Sequence, residues 1–299
     1  MSEAAAAPGP TPVRQHRSPL PAALRAMLGH PPSALGLVLV TLILFVALFA
    51  DWLAPYAPAA LDIKHRLADP SAQHWLGTDQ LGRDLLSRVL VGTRVAIGIA
   101  LGSILLSLGI SIVLGLVAGY GPRWLDGMLI LVFDSVASVP LVMLGLAAGT
   151  LLGAGALTVV LVIVLYSVPS YARMVRSQAL SLKNRDFVMA ERAMNAGMPR
   201  ILFLHLLPNL IGPLLIVACM DVAAAITLEA SLSFLGIGIK PPTPSWGAIL
   251  NEGFAVIRTD AGIIVAGGVP LILATLGFTF FGEALRDALD PKLARGRTR

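Results

Sequence analysis

Six long apolar stretches divide the chain, and its polar residues fall in blocks between them. The stretches cover 34–53, 95–120, 127–152, 153–170, 211–235 and 262–282. A helix rises 1.5 Å per residue, so about 20 apolar residues cross a hydrocarbon core of about 30 Å, and each stretch predicts a membrane-spanning helix. In the first, Ala34 to Ala50 is broken only by Thr41, and Trp52 and Tyr56 follow as aromatic residues suited to the interface. The fold class is therefore an all-α membrane protein with six transmembrane helices. Rossmann, sandwich and other soluble folds are excluded, because backbone exposed to lipid must satisfy its own hydrogen bonds within helices.

The polar blocks complete the organisation. Residues 1–33, with Pro8, Pro10, Pro12, Pro19 and Pro21, predict a flexible arm holding at most a short helix near 22–28. The first apolar run begins too far in for a secretory signal and is expected to stay as an uncleaved span. Residues 54–94 form one external segment and 236–261, with Pro241, Pro242, Pro244 and Trp246, another. Leu81, Leu85, Val89 and Leu90 fit one helical face, so the end of the first segment is expected along the interface. Residues 171–210 form a long polar loop between the fourth and fifth spans, and 284–299 a basic tail, closing a six-helix transmembrane domain of 34–283. Pro140, inside the third span, predicts a kink or local opening.

Composition agrees with the bilayer. The chain is 56% hydrophobic and 13% charged, with mean hydropathy +0.81; soluble proteins carry about 25% charged residues. The formal charge of +5 does not call for nucleic acid, because its placement explains it. Fifteen of the 22 lysines and arginines lie in the arm, at Arg123, in 171–210 or in the tail. The positive-inside bias then places both termini and the 171–210 loop in the cytoplasm. Cys219 is the single cysteine and sits in an apolar run, where packing is its expected role. The five histidines form no ligand pair, so no metal site is expected. No Gly-Lys-Ser/Thr occurs, so ATP is not bound here by a P-loop, and no catalytic constellation stands out.

Within the 171–210 loop, a short helix fits between Asn184 or Asp186, either able to cap its start, and Gly197 with Pro199, which stop it. Phe187, Met194, Met198 and Ile201 recur at roughly heptad spacing, with Glu191, Arg192 and Asn195 between them. Such a helix is either a solvated link or a surface offered to a soluble partner. Three acids fall in or near spans: Asp134, Asp221 and Glu229. A carboxylate in a bilayer must face protein or water, so each marks a polar pathway or a structural hydrogen bond; Asp221 is the most central. A proton-driven carrier would pair such an acid with a base, and no Lys, Arg or His is expected at comparable depth. Small residues four apart, Gly98/Gly102, Gly115/Gly119, Gly145/Gly149 and Gly149/Gly153, allow close helix contact within the bundle or across a seam.

Asp186, Phe187, Val188, Ala190, Arg192, Ala193, Arg200 and the run His205 to Asn209 resemble the cytoplasmic EAA loop of ABC-importer permeases, in the C-type subunit of the dipeptide/oligopeptide family. The pattern's Glu falls on Met189, its second Ala on Glu191 and its Gly on Asn195. Asn is the non-glycine residue that best tolerates positive φ, so the helix end survives there, whereas Met189 cannot close a capping box with an N-cap Asp186. Gly77, Thr78 and Asp79 with Gly82, Arg83, Asp84, Ser87 and Arg88 are similar to that family's signature before the second span, and Glu229 to Gly238, Pro241 to Gly247 and Ala284 to Pro291 extend the likeness. The same Gly-rich run also suits a structural turn and helix cap.

The resemblance implies a non-catalytic subunit of a bacterial inner (plasma) membrane importer of the type I architecture, with a coupling helix between spans four and five. It implies a sister permease, two ATPase subunits that hold ATP and Mg, and an extracytoplasmic substrate-binding protein. Asp186, Phe187, Met189, Ala190, Glu191, Arg192, Met194, Asn195 and Gly197 would form the ATPase-coupling element, with Phe187 and Met194 entering the ATPase groove and Glu191 and Arg192 at its rim. Asp79, Arg83, Asp84 and Trp246 would lie where the binding protein docks. Dipeptides or oligopeptides are the first expected cargo; nickel, glutathione or another small solute, and a carrier independent of an ATPase, are the alternatives.

Overall fold

A computed structural model describes residues 30–289 except Asn184, and of Arg192, Pro199 and Leu289 the backbone only. The arm 1–29 and the tail beyond 289 lie outside the described residues. The elements are α1 (Pro31–Leu53), α2 (Leu85–Tyr120), α3 (Arg123–Ala137), α4 (Leu141–Leu152), α5 (Ala156–Leu182), α6 (Asp186–Ala193), α7 (Leu207–Phe234), α8 (Trp246–Ala255) and α9 (Gly262–Leu289). A helical turn, Met198–Arg200, and a π-helical stretch, Ile201–Leu206, lead into α7. Five helices are long and apolar enough to cross a membrane, and the α3–α4 pair makes a sixth if counted as one span.

That pair is bent by 90°. The sequence predicts a kink at Pro140, and the result is a full break: Pro140 has no N–H to continue α3 and sits instead as the N-cap of α4. Other boundaries differ from the sequence expectation as well. Helix α2 starts at Leu85 rather than 95, because the Asp84 carboxylate accepts from Ser87 N at 2.8 Å and caps it there. At 36 residues it is about 54 Å long, more than a bilayer core needs. Helix α5 runs to Leu182 rather than ending near 170, and residues 246–255, expected as loop, form α8.

Helix α2 stands at the centre, packed on α1, α5 and α7. It runs parallel to α5, as the contacts Ser111–Val168, Gly115–Ala172 and Gly119–Ala179 show. A Cβ at Gly115 would come within 2.6 Å of the Ala172 carbonyl, so only glycine lets these backbones meet. Gly145 and Gly149 receive Leu232 and Ile237 in the same way, whereas Gly98 and Gly102 face open space. The small-residue pairs thus divide between internal packing and an unpartnered face. Helix α1 packs antiparallel on α9, and it is irregular at Phe49. Arg94 of α2 catches the carbonyls there, donating to Ala47 O (2.9 Å) and Leu48 O (3.2 Å), and to Asp51 (2.5 Å).

Candidate functional site

Two ends of the bundle and one cavity between them carry the chemistry. The first end holds the segment 54–84, the start of α2 and α8. Gly77 and Gly82 both take φ +76, and a Cβ on Gly82 would sit 1.7 Å from the Asp62 carbonyl oxygen, so the turn admits only glycine. The turn aims Asp79 inward, where it accepts from Leu81 N (2.8 Å) and Arg83 N (3.0 Å). Arg83 Nε donates to the same carboxylate at 2.6 Å, and Arg88 bonds it too. Both guanidiniums then reach Glu252 of α8: Arg83 at 3.0 Å, and Arg88 as a fork at 2.5 and 2.9 Å. Two cations thus face two anions, three of the four buried and Glu252 partly exposed. Trp246 is fully buried on Gly92 and donates to Val89 O at 3.2 Å. Asp84 adds a His74 contact at 2.9 Å to its capping role. His65 lies beside His74 and bonds Asp62 at 2.7 Å, which holds the Asp62 carboxyl below its ordinary value.

The structure therefore brings Asp79, Arg83, Asp84 and Trp246 together, but in the interior. Asp79 and Trp246 expose nothing, so a docked protein would touch the surface they hold in shape, not these side chains. Glu252, the anion on which both arginines converge, was not singled out from the sequence; only its position on α8 reveals it.

The opposite end holds α6. The carbonyl of Arg185 accepts from Val188 and Met189, so Arg185 is the helix's first flanking residue and Asp186 its first helical one. Asp186 therefore favours the helix through the positive N-terminal dipole rather than as a cap; Asn184 lies outside the described residues. Asn195 adopts φ +59 and Ala196 N reaches back to Glu191 O at 3.0 Å, closing a Schellman-type end. Val188 is buried and anchors the helix, while Phe187, Met189 and Met194 are exposed, Met194 at 69%. Ala190, Asn195 and Gly197 are exposed as well. Glu191 is not the free rim contact expected. It turns inward, 3.2 Å from His205 Nε2 and 3.8 Å from Arg200 Nε, joining α6 to the π-helical stretch before α7. The side chain of Arg192 lies outside the described residues. Exposed Met198, Phe203 and Leu204 add to the apolar side-chain surface near α6.

Between the ends, a cavity of about 440 Å³ opens among α2, the α3–α4 bend, α5 and α7. Asp221 lines it and accepts from Tyr171 OH at 2.6 Å. Arg173 lines it too and donates to Asp134 at 3.1 Å. The expectation that no base lies at the depth of the acids is thereby corrected: α5 continues past the apolar stretch, carrying Arg173 to Asp134. Glu229 does not join this cavity. It is fully buried and accepts from Ser233 Oγ at 2.8 Å, which in turn receives Ile239 N, so it ties α7 to the loop that follows.

These features describe a multi-pass membrane transport subunit. Residues 111–295 match the family described as binding-protein-dependent transport system inner membrane component, and residues 18–70 match the N-terminal TM domain of oligopeptide transport permease C. The chain is 37% identical over 293 residues to the di/tripeptide transport system permease protein DppC of Pseudomonas aeruginosa, covering 96% of this chain and 97% of that one. It is 37% identical to the glutathione transport system permease protein GsiD of Pectobacterium atrosepticum, over 88% of each. A solved structure of the MetNI methionine ABC transporter is 18% identical, with TM-score 0.46, covering 65% of this chain and 94% of that chain. The chain belongs to the binding-protein-dependent transport system inner membrane components, the membrane permease subunits of ABC transporters.

Proposed function

We propose that this chain is one permease half of an ATP-driven importer of dipeptides or short oligopeptides. Together with a sister permease it would form the passage, with both termini and α6 in the cytoplasm. Of the two ATPase subunits, which hold ATP and Mg, one docks on the exposed side of α6, and an extracytoplasmic binding protein delivers cargo over the surface built by 54–84 and α8. ATPase closure moves α6; Val188 and the Glu191–His205 contact pass that movement to α7, and the cavity around Asp221 changes the side to which it opens. Asp221, with Asp134 nearby, polarises the passage, and the chain itself performs no bond chemistry. The observation that carries the reading is α6: a short, sharply terminated helix that leaves Phe187, Met189 and Met194 exposed while its half-buried Glu191 meets His205 at the base of α7. The relatives' names supply the cargo class. A glutathione importer is the second reading, favoured by relatives of that name; glutathione shares the free ammonium and carboxylates of a peptide.

The test combines co-purification with uptake. Phe187→Asp together with Met194→Asp is expected to abolish recovery of the ATPase subunits and ATP-dependent dipeptide uptake. Unchanged recovery, or uptake that survives ATP depletion, would overturn the reading.

A further inference from the structure

The cavity between the two ends holds a cation as well as acids, and this goes further than a polar lining. Resting on the importer reading above, we propose that it is a transit contact site for a zwitterionic solute, Asp221 receiving the solute's ammonium and Arg173 its carboxylate.

Asp221 and Arg173 both line the same space, from α7 and α5. Its volume of about 440 Å³ lies within the 300–1,000 Å³ typical of small-molecule sites. The Tyr171 hydroxyl engages Asp221 Oδ2 and so fixes the carboxylate, and no described protein group donates to Oδ1. Arg173 makes one hydrogen bond to a protein group among the described residues, to Asp134, in a pair whose side chains are 41% and 63% exposed. Exposed pairs of this kind hold weakly, so the guanidinium can leave Asp134 for a better acceptor. A planar guanidinium matches a carboxylate in a fork, the geometry Asp134 does not use here. Arg176, one turn further along α5, provides the contrast: it forks Asp126 at 2.5 and 2.7 Å and does not line the cavity. Ser167 and Ser170 line the wall on the α5 face that carries Arg173, and supply neutral hydroxyls for amide groups. A carboxylate such as Asp221 is costly among apolar helices, and a passage for an uncharged solute has no use for it.

The experiment measures labelled dialanine uptake by the assembled importer, per amount of complex recovered. Asp221→Asn, which keeps an acceptor for Tyr171, and Arg173→Gln are each expected to lower the maximal rate about ten-fold or more, the size of a lost charge-assisted hydrogen bond. Arg173→Lys, which keeps the cation without the fork, should recover part of that loss. Asp134→Asn frees Arg173 and should cost several-fold less than Arg173→Gln. Equal losses for Asp134→Asn and Arg173→Gln would mark the pair as structural and overturn the proposal, as would a wild-type rate in either Asp221→Asn or Arg173→Gln. A wild-type complex that moves no dialanine overturns the cargo reading and this inference with it, whereas unaffected variants in a complex that does move it overturn the inference alone.

Discussion

The two ends of the bundle handle charge in opposite ways. At the first, Asp79, Arg83, Arg88 and Glu252 satisfy one another inside the protein, joined by short bonds across 164 residues of chain. At the other, α6 is held by Val188 and by Glu191 with its two basic neighbours, and its largest apolar side chains stay in the open. The first end is finished as it stands. The second leaves Phe187, Met189 and Met194 uncovered.

That contrast is best attacked where it is strongest. Arg88→Ala leaves Asp79 and Glu252 short of a cation in a closed site, and should cost about 3–5 kcal/mol of stability, read as the largest fall in thermal midpoint in detergent. Gly82→Ala forces a side chain into positive φ against the Asp62 carbonyl and should cost about 1–3 kcal/mol on the same assay. Glu191→Gln, at the other end, should cost about 1 kcal/mol or less, since its partners are partly solvated. Smallest of all, Phe187→Asp should change stability by no more than about 0.5 kcal/mol, because nothing is lost from the core. A fall in midpoint for Glu191→Gln equal to that for Arg88→Ala would erase the distinction between the ends.

Much of the fold was legible because lipid imposes a local rule: about 20 apolar residues in a row. The same holds for local backbone chemistry, such as the break at Pro140 and the positive φ of Asn195. What local pattern does not encode is which distant charge a side chain meets. Arg88 appeared as one cation in a Gly-rich external run, and its partner Glu252 lay in what looked like a proline-rich loop. Arg173 fell in the polar loop expected from 171 onward, yet α5 carries on through it, so the residue lies along the cavity wall beside Asp134. Glu191 looked like a rim residue on a heptad, and only the fold of the following π-helical stretch turned His205 toward it.

Helix α2 has no Pro and runs unbroken along its 36 residues, unlike the α3–α4 pair beside it. It joins the closed charge network, through Arg88, to the far end at Tyr120, where Lys183 lies over the ring just before α6. A stiff bar of that length acts as a pointer: a tilt of about 5° about one end sweeps the other by roughly 5 Å. A push at one end of the bundle would thus reach the other as a displacement the width of a side chain, with no break in α2 to absorb it.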